Sequence, residues 1–225
     1  MSSAAAPDPV RVRRSLLRWF GREGRSFFWR DPEVGPSMTP FQVLLLEFLL
    51  WKTNAARSEG VIRGIVDGFP GPEAVLRRSV AELEELLQPL GLFRRRAACL
   101  DRFSRQLVED FDGELPTDAR SLQTLNGIGQ YAARATACLL AGSRLMPVDA
   151  NTSRIFGRLF DEEGPPVRTP GQAWDERMEP FVPKREPKRF LWATMDLSAA
   201  FCRPREPRCG ECPVRRECGV GRRSG

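Results

Sequence analysis

The chain of 225 residues contains no histidine. That absence removes the commonest general base, the Ser-His-Asp and Cys-His nucleophile systems, and most zinc sites. Acid–base chemistry must fall to carboxylates, cysteines, lysines or a phenol. Phenol is scarce as well, Tyr131 being the single tyrosine. Lysine is nearly missing: Lys52, Lys184 and Lys188 are the only three among 35 basic residues. Positive charge is therefore carried by guanidinium groups, which suit bidentate contacts to phosphate, although a GC-rich genome leaves the same bias. No hydrophobic run is long. The longest, 41–51, is interrupted by Gln42 and Glu47, and the N-terminal MSSAAAPDPVRVRR has no apolar signal core. Neither membrane insertion nor export is expected, and a cytoplasmic place is. Alternating strand patterns and two-residue hairpin turns are scarce too, which argues against a β fold.

What remains is an all-α reading. Amphipathic helices are predicted over 10–23, 92–112, 117–125, 130–141, 150–160, 171–180 and 187–201. Thr39-Pro40 signals the start of a helix, FQVLLLEFLLWKTNAA, that is apolar nearly all round and so belongs in a core. Ser79 followed by Glu82 resembles a capping box before VAELEELLQPL. The net charge of +6 fits a polyanionic partner, though weakly.

Three constellations carry chemistry. The first is LNGIGQYAA at 125–133, where Gly127 and Gly129 separate two helical patterns. A helix N-terminus exposes unpaired N–H groups, and glycines let a phosphate approach them. A plain glycine cap between core helices is the competing reading. The second is a pair of carboxylates. Glu47 sits among leucines, where desolvation would raise its pKa toward neutrality and suit it to donate a proton, unless it reaches solvent or a core hydrogen bond. Asp149 opens DANTSRIFGRLF, placed to cap a helix whose positive end favours an anion. A proton donor paired with a fixed anion is the division of labour for cleaving a glycosidic bond through an oxocarbenium-like state. Tyr131 either packs on a sugar or base or fills core. The third is Cys202, Cys209, Cys212 and Cys218, with Arg203, Arg205, Arg208, Arg215 and Arg216 between them. Four cysteines in so short a stretch fit an all-thiolate metal site, zinc or iron–sulfur, on a phosphate-binding edge. Cys99 and Cys138 fall on apolar helix faces and read as core.

Over about residues 10–219 these features resemble the helix-hairpin-helix DNA glycosylase superfamily that includes endonuclease III. LNGIGQYAARATACLLAG is similar to its hairpin and following helix, PVDANTSRIFGRLF to its catalytic-aspartate segment, and C-x6-C-x2-C-x5-C to its [4Fe–4S] spacing. The resemblance implies a two-lobed all-α fold. Residues 34–140 would form a six-helix barrel, residues 1–33 and 141–225 a cluster domain, and the active cleft would lie between them. It turns the cysteine site from zinc toward a [4Fe–4S] cluster. It also implies double-stranded DNA with a mismatched or damaged base as partner, bound by a monomer.

The branch is narrowed by departures. Where endonuclease III-type enzymes carry a nucleophilic lysine, this chain has Tyr131, so lyase chemistry is not expected. That tyrosine, with Glu47, Trp29-Arg30 and MDLSAAFC, is similar to two monofunctional branches: the adenine glycosylase acting opposite 8-oxoguanine, and the thymine or uracil glycosylase acting opposite guanine. Trp51-Lys52 in place of a glutamine pair, VDAN rather than VDGN, and the few residues after Cys218 favour the thymine branch. Glu47, Tyr131 and Asp149 are then the expected catalytic residues. Gly127, Gly129, Gln130, Gln42, Trp51, Lys52, Arg203 and Arg205 are the expected DNA contacts. A modified-pyrimidine glycosylase and a non-catalytic DNA-binding protein are the remaining alternatives.

Overall fold

The computed structural model describes residues 6–162, 167 and 169–224, and every regular element among them is an α-helix or a 3₁₀ turn. The helices are α1 (Pro9–Glu23), α2 (Pro40–Leu50), α3 (Ala55–Gly68), α4 (Pro72–Leu76), α5 (Val80–Leu87), α6 (Phe93–Phe111), α7 (Ala119–Leu122), α8 (Gln130–Ala141), α9 (Ala150–Phe160), α10 (Gln172–Met178), α11 (Pro187–Ala200) and α12 (Gly219–Arg223). No described helix is long and apolar enough to cross a membrane. The chain divides into two compact units, residues 26–141 and residues 1–25 with 142–225.

The 26–141 unit is built around α2. Thr39 caps it, its hydroxyl accepting from the Gln42 N–H while the Gln42 side chain accepts from the Thr39 N–H. With its ends fixed, the helix buries Phe41 and every residue from Val43 to Leu49, including Glu47. Helices α3 and α8 pack on it, and α4 and α5 pack on α6. Leu44, Leu49, Ile62, Leu83, Leu100, Phe103 and Leu122 fill the shared core. Phe27, Phe28 and Trp29 are buried in that core too, with Phe27 stacked on Trp29. Residues 26–33, expected with the cluster domain, therefore belong to this unit. The helix expected to run through FQVLLLEFLLWKTNAA breaks at 51–54. Lys52 turns left-handed (φ 52°), and Asn54 caps a new helix, α3.

In the other unit α1 packs on α11, and α9 packs on α11 and α12. Asp196 of α11 is buried and takes a two-nitrogen contact from the Arg25 guanidinium, at 2.7 and 2.8 Å, plus the Arg25 backbone N–H at 2.8 Å. Such a carboxylate is compensated by geometry that satisfies both oxygens.

Candidate active site

Glu47 lies on the buried face of α2, with 7% of its surface exposed. Burial pushes its carboxyl up from 4.5 to about 7, and the nearby positive charge of Arg30 opposes the rise. Arg30 itself sits over the Phe27 ring at 5.0 Å. The Trp-Arg pair thus has two jobs: Trp29 anchors the segment in the core and Arg30 sets the charge beside the acid. Glu47 can hold a proton at neutral pH, which an exposed glutamate cannot.

The loop after α2 is held from below by Arg96, a residue not among those expected at the site. Arg96 is 1% exposed and spends all five N–H donors on oxygens. Nε donates to Gly91 O at 2.9 Å; one terminal nitrogen donates to Phe48 O and Leu49 O at 3.1 and 3.2 Å; the other donates to Trp51 O at 2.6 Å and Thr53 Oγ1 at 2.7 Å. Phe48 O, Leu49 O and Trp51 O lie at the C-terminal end of α2, where a helix leaves its carbonyls unpaired. Above this clamp the Trp51 ring is 40% exposed, with Lys52 Nζ at 5.1 Å and the Arg95 guanidinium at 5.2 Å from its centre. Leu92, beside Gly91, is 47% exposed and left-handed (φ 52°). The signal for Arg96 was present: it falls in helical register with Leu100, Phe103 and Leu107, on the buried stripe of α6.

Gln42 does not belong with these residues. Its carbonyl closes the capping box and its amide donates to Val66 O at 2.9 Å, so both ends of the side chain are committed inside the fold. The expectation that it touches DNA is corrected to a helix-capping role.

The glycine turn joins α7 to α8. Gly127 is left-handed (φ 82°), and a Cβ there would lie 2.9 Å from Cys99 Sγ, so only glycine fits. Ile128 and Leu125 are buried beneath the turn, while the Gln106 side-chain carbonyl accepts from the Asn126 backbone and amide, both at 2.9 Å. Gly129 differs: a Cβ would meet nothing within 4 Å. The absence of a side chain there leaves open space before the first turn of α8, where Gln130 and Tyr131 are half-buried. Such an N-terminus can receive a phosphate.

In the other unit Asp149 caps α9. Its Oδ1 accepts from the N–H groups of Asn151 and Thr152 at 2.9 and 2.8 Å and from the Thr152 hydroxyl at 3.1 Å. Its Oδ2 accepts from the Asn151 amide at 3.0 Å. Arg154 backs this arrangement, donating to Asn151 Oδ1 at 2.9 Å, Ser198 Oγ at 2.7 Å, Ala150 O at 2.9 Å and Cys202 O at 2.7 Å. A carboxylate surrounded by donors is fixed in place, its orientation set by those bonds.

Cys202, Cys209, Cys212 and Cys218 are all free, half-buried, and line one cavity floored by Val12, Leu16, Phe190 and Leu197. Burial and the three neighbouring cysteines push the Cys212 thiol up to about 12. Among the described residues no three Cys, Asp or Glu side chains are gathered closely enough to hold a metal ion. Arg158 holds the loop from α9, donating to Arg203 O at 2.6 Å and Pro204 O at 3.0 Å. Arg203 and Arg205 are exposed on that loop.

Residues 47–177 match the family model of the HhH-GPD superfamily base excision DNA repair proteins. An adenine DNA glycosylase of Mycobacterium tuberculosis is 35% identical over 205 residues, covering 89% of this chain. The match takes in 64% of that relative, so the chain spans about two thirds of its length. A thymine/uracil-DNA glycosylase of Methanothermobacter thermautotrophicus is 28% identical over 204 residues, covering 91% of this chain and 90% of the relative. The solved structure of a thermostable thymine-DNA glycosylase superposes with a TM-score of 0.83 at 25% identity, over 96% of this chain and 97% of the other.

Proposed function

Because the chain belongs to the HhH-GPD superfamily of base excision DNA repair proteins, we propose that it is a monofunctional DNA glycosylase that removes thymine or uracil paired with guanine. The observation that carries the chemistry is the buried Glu47, whose carboxyl titrates near 7. In its protonated form it serves the departing base or positions water. The donor-bound Asp149 carboxylate stabilises positive charge developing at the sugar C1′. Tyr131 offers no amine, so no Schiff base forms and the product is an abasic site rather than a nick. A mismatched base costs less to extrude than a paired one, which supplies part of the selectivity. Gly127, Gly129 and Gln130 at the hairpin, with Arg203 and Arg205 on the cysteine loop, grip the backbone.

The branch assignment rests on Trp51-Lys52 and on likeness to thymine glycosylases over nearly the whole of both chains. A second reading, excision of adenine, is favoured by the 35% identity to the mycobacterial enzyme and by the proton that Glu47 holds, since adenine needs protonation to leave. The all-sulfur donor set fits a [4Fe–4S] cluster. Cys202, Cys209, Cys212 and Cys218 would hold it, and a bound cluster would cross-link the loop and supply a one-electron centre. Burial and the neighbouring thiols oppose ionisation of Cys212, an opposition that a cation bound at the site would relieve.

A panel of duplexes containing T:G, U:G, A:8-oxoguanine, A:G and modified cytosines tests the proposal, with alkali cleavage read by fragment size. T:G and U:G are expected to be cut after alkali only. Cutting confined to adenine duplexes would transfer the assignment to the second reading, and no cutting of any duplex would leave a DNA-binding protein. The purified protein is expected to be brown and to contain iron and acid-labile sulfide; zinc in their place would overturn the cluster assignment.

A further inference from the structure

Asp149 is approached by a segment with no regular structure of its own. Residues 142–148 belong to neither a helix nor a strand, and Pro147 has no N–H to give. Met146, Pro147 and Val148 are nonetheless buried. Two anchors tie this segment to α10 and the turn that follows it. The Trp174 indole N–H donates to Met146 O at 3.1 Å. The Arg144 guanidinium donates to Glu179 O at 2.6 Å, to the Glu179 carboxylate at 3.0 Å and to Val182 O at 3.1 Å. Trp174 is 8% exposed, and its ring meets Phe156 of α9 edge-on with the centroids 5.8 Å apart. Phe181 packs on the same Phe156 ring at 6.1 Å. One side chain therefore grips the chain on both sides of Asp149, at Met146 before it and at Phe156 after it.

The donors around the Asp149 carboxylate, Asn151 and Thr152, lie on its own helix. They set the carboxylate relative to α9, and leave open what sets α9 and its approach segment together. From the two-sided grip we infer that Trp174 is a positioning residue for Asp149, fixing how far the carboxylate projects toward the sugar without itself touching substrate. The inference rests on the role proposed above for Asp149. A charge stabilises a transition state only if it is already aimed at the place where the opposite charge develops, and a misplacement of about 1 Å can cost about a hundredfold in rate. An indole suits the task, because its apolar body packs while its single N–H makes one directed bond. Phenylalanine at the same place would keep the packing and lose the bond.

The test uses the full chain and the duplex from which wild type releases base fastest. Two further duplexes replace the target nucleotide, one with a neutral tetrahydrofuran abasic analogue and one with a cationic pyrrolidine analogue. The neutral analogue reads the grip on the backbone. The cationic one carries the charge that the sugar develops in the transition state, so it also reads the placement of the Asp149 carboxylate. Wild type is expected to prefer the cationic duplex by about a hundredfold or more. In Trp174→Phe that preference and single-turnover release should both fall by about tenfold, while the neutral duplex binds within about twofold of wild type. Arg144→Gln frees the other anchor and should lose the preference in the same way, which keeps the test decisive should Trp174→Phe not fold. Phe160→Leu is the control for loosened packing. Phe160 belongs to the same aromatic cluster at the far end of α9, and its replacement leaves both anchors in place. That variant should keep the cationic preference even where its melting temperature falls as far. An unchanged preference in the folded anchor variants, or an equal loss in Phe160→Leu, would overturn the inference. Wild type that releases base and prefers the cation, with Trp174→Phe and Arg144→Gln doing the same, sinks this inference alone. Wild type that releases base from no duplex of the panel and shows no preference with the analogues set opposite guanine sinks the glycosylase reading.

Discussion

Arg30 is the cation that opposes the burial of Glu47: burial lifts the carboxyl from 4.5 to about 7, and the guanidinium pulls it back toward the ordinary range. The pair is therefore a balance in which burial outweighs the cation, and the protonation state of the candidate acid depends on both. An exposed glutamate would be ionised at any pH at which DNA is repaired.

The sign of the stability effect follows. A carboxyl whose folded pKa lies above its unfolded value costs nothing below 4.5, where both states are protonated. The cost appears as pH rises toward 7 and is complete above it. Glu47→Gln removes that cost, so its melting temperature should exceed that of wild type at pH 8 by several degrees and match it near pH 4.5. The same variant should lose most base release. A variant less stable than wild type at both pH values would mean that the carboxyl is held by compensating contacts.

Removing the opposing charge should move the acid rather than abolish it. In Arg30→Gln the Glu47 carboxyl keeps the burial and loses the cation, so its pKa rises further. Single-turnover release, if it uses the protonated form, should then persist to higher pH than in wild type. The check is the alkaline limb of the pH–rate profile. An unchanged limb would show that the titrating group lies elsewhere.

Asp149 and Arg154 act through one amide. Asn151 donates to Asp149 Oδ2 and accepts from Arg154, which is also tied to Ser198 and to the carbonyl of Cys202. Asp149→Asn should keep duplex affinity and lose about a hundredfold or more in release. Arg154→Ala should destabilise by about 2 kcal/mol, since it strips a charged donor from several acceptors. It should also slow release well beyond any loss of affinity, because a slackened Asn151 no longer holds the carboxylate in position. Arg154→Lys restores the charge but not the fork, and should rescue little.

Much of this was legible in the sequence. Glu47 stood out because a carboxylate interrupted a run of leucines, and Asp149 because it preceded a helix in capping position. Thr39 caps α2 and the capping box at Ser79 forms, as their sequence signals indicate. Gln42 was misassigned although its place, three residues after a capping threonine, is the position from which a side chain reaches back to the cap. Arg96 was missed because arginine at a helix start is ordinarily solvated; only its register with Leu100, Phe103 and Leu107 points inward. The break at 51–54 was hidden for a different reason. Local apolar pattern favours continuing the helix, and what ends it is a guanidinium supplied by α6, more than 40 residues along the chain. The short helices α4 and α12 and the helix α3 were also unread, since their cores are formed by distant partners rather than by strong local periodicity.

The two hairpin glycines separate folding from binding. Gly127 is needed by the fold, being left-handed and with its missing Cβ pressed against Cys99. Gly127→Ala should cost about 1–3 kcal/mol, and adding Cys99→Ala should return only the part due to the sulfur, because the backbone strain and the contact with the residue 99 Cβ remain. Gly129 has ordinary backbone and nothing within 4 Å of its ideal Cβ, so Gly129→Ala should melt within about a degree or two of wild type. If the first turn of α8 receives a phosphate, that single methyl group stands where the phosphate must approach. Affinity for undamaged duplex should then fall severalfold and the salt dependence of binding should flatten, as expected when a backbone contact is lost. Unaltered affinity in a fully folded Gly129→Ala protein would remove the hairpin from the DNA-binding surface and leave it a turn between core helices.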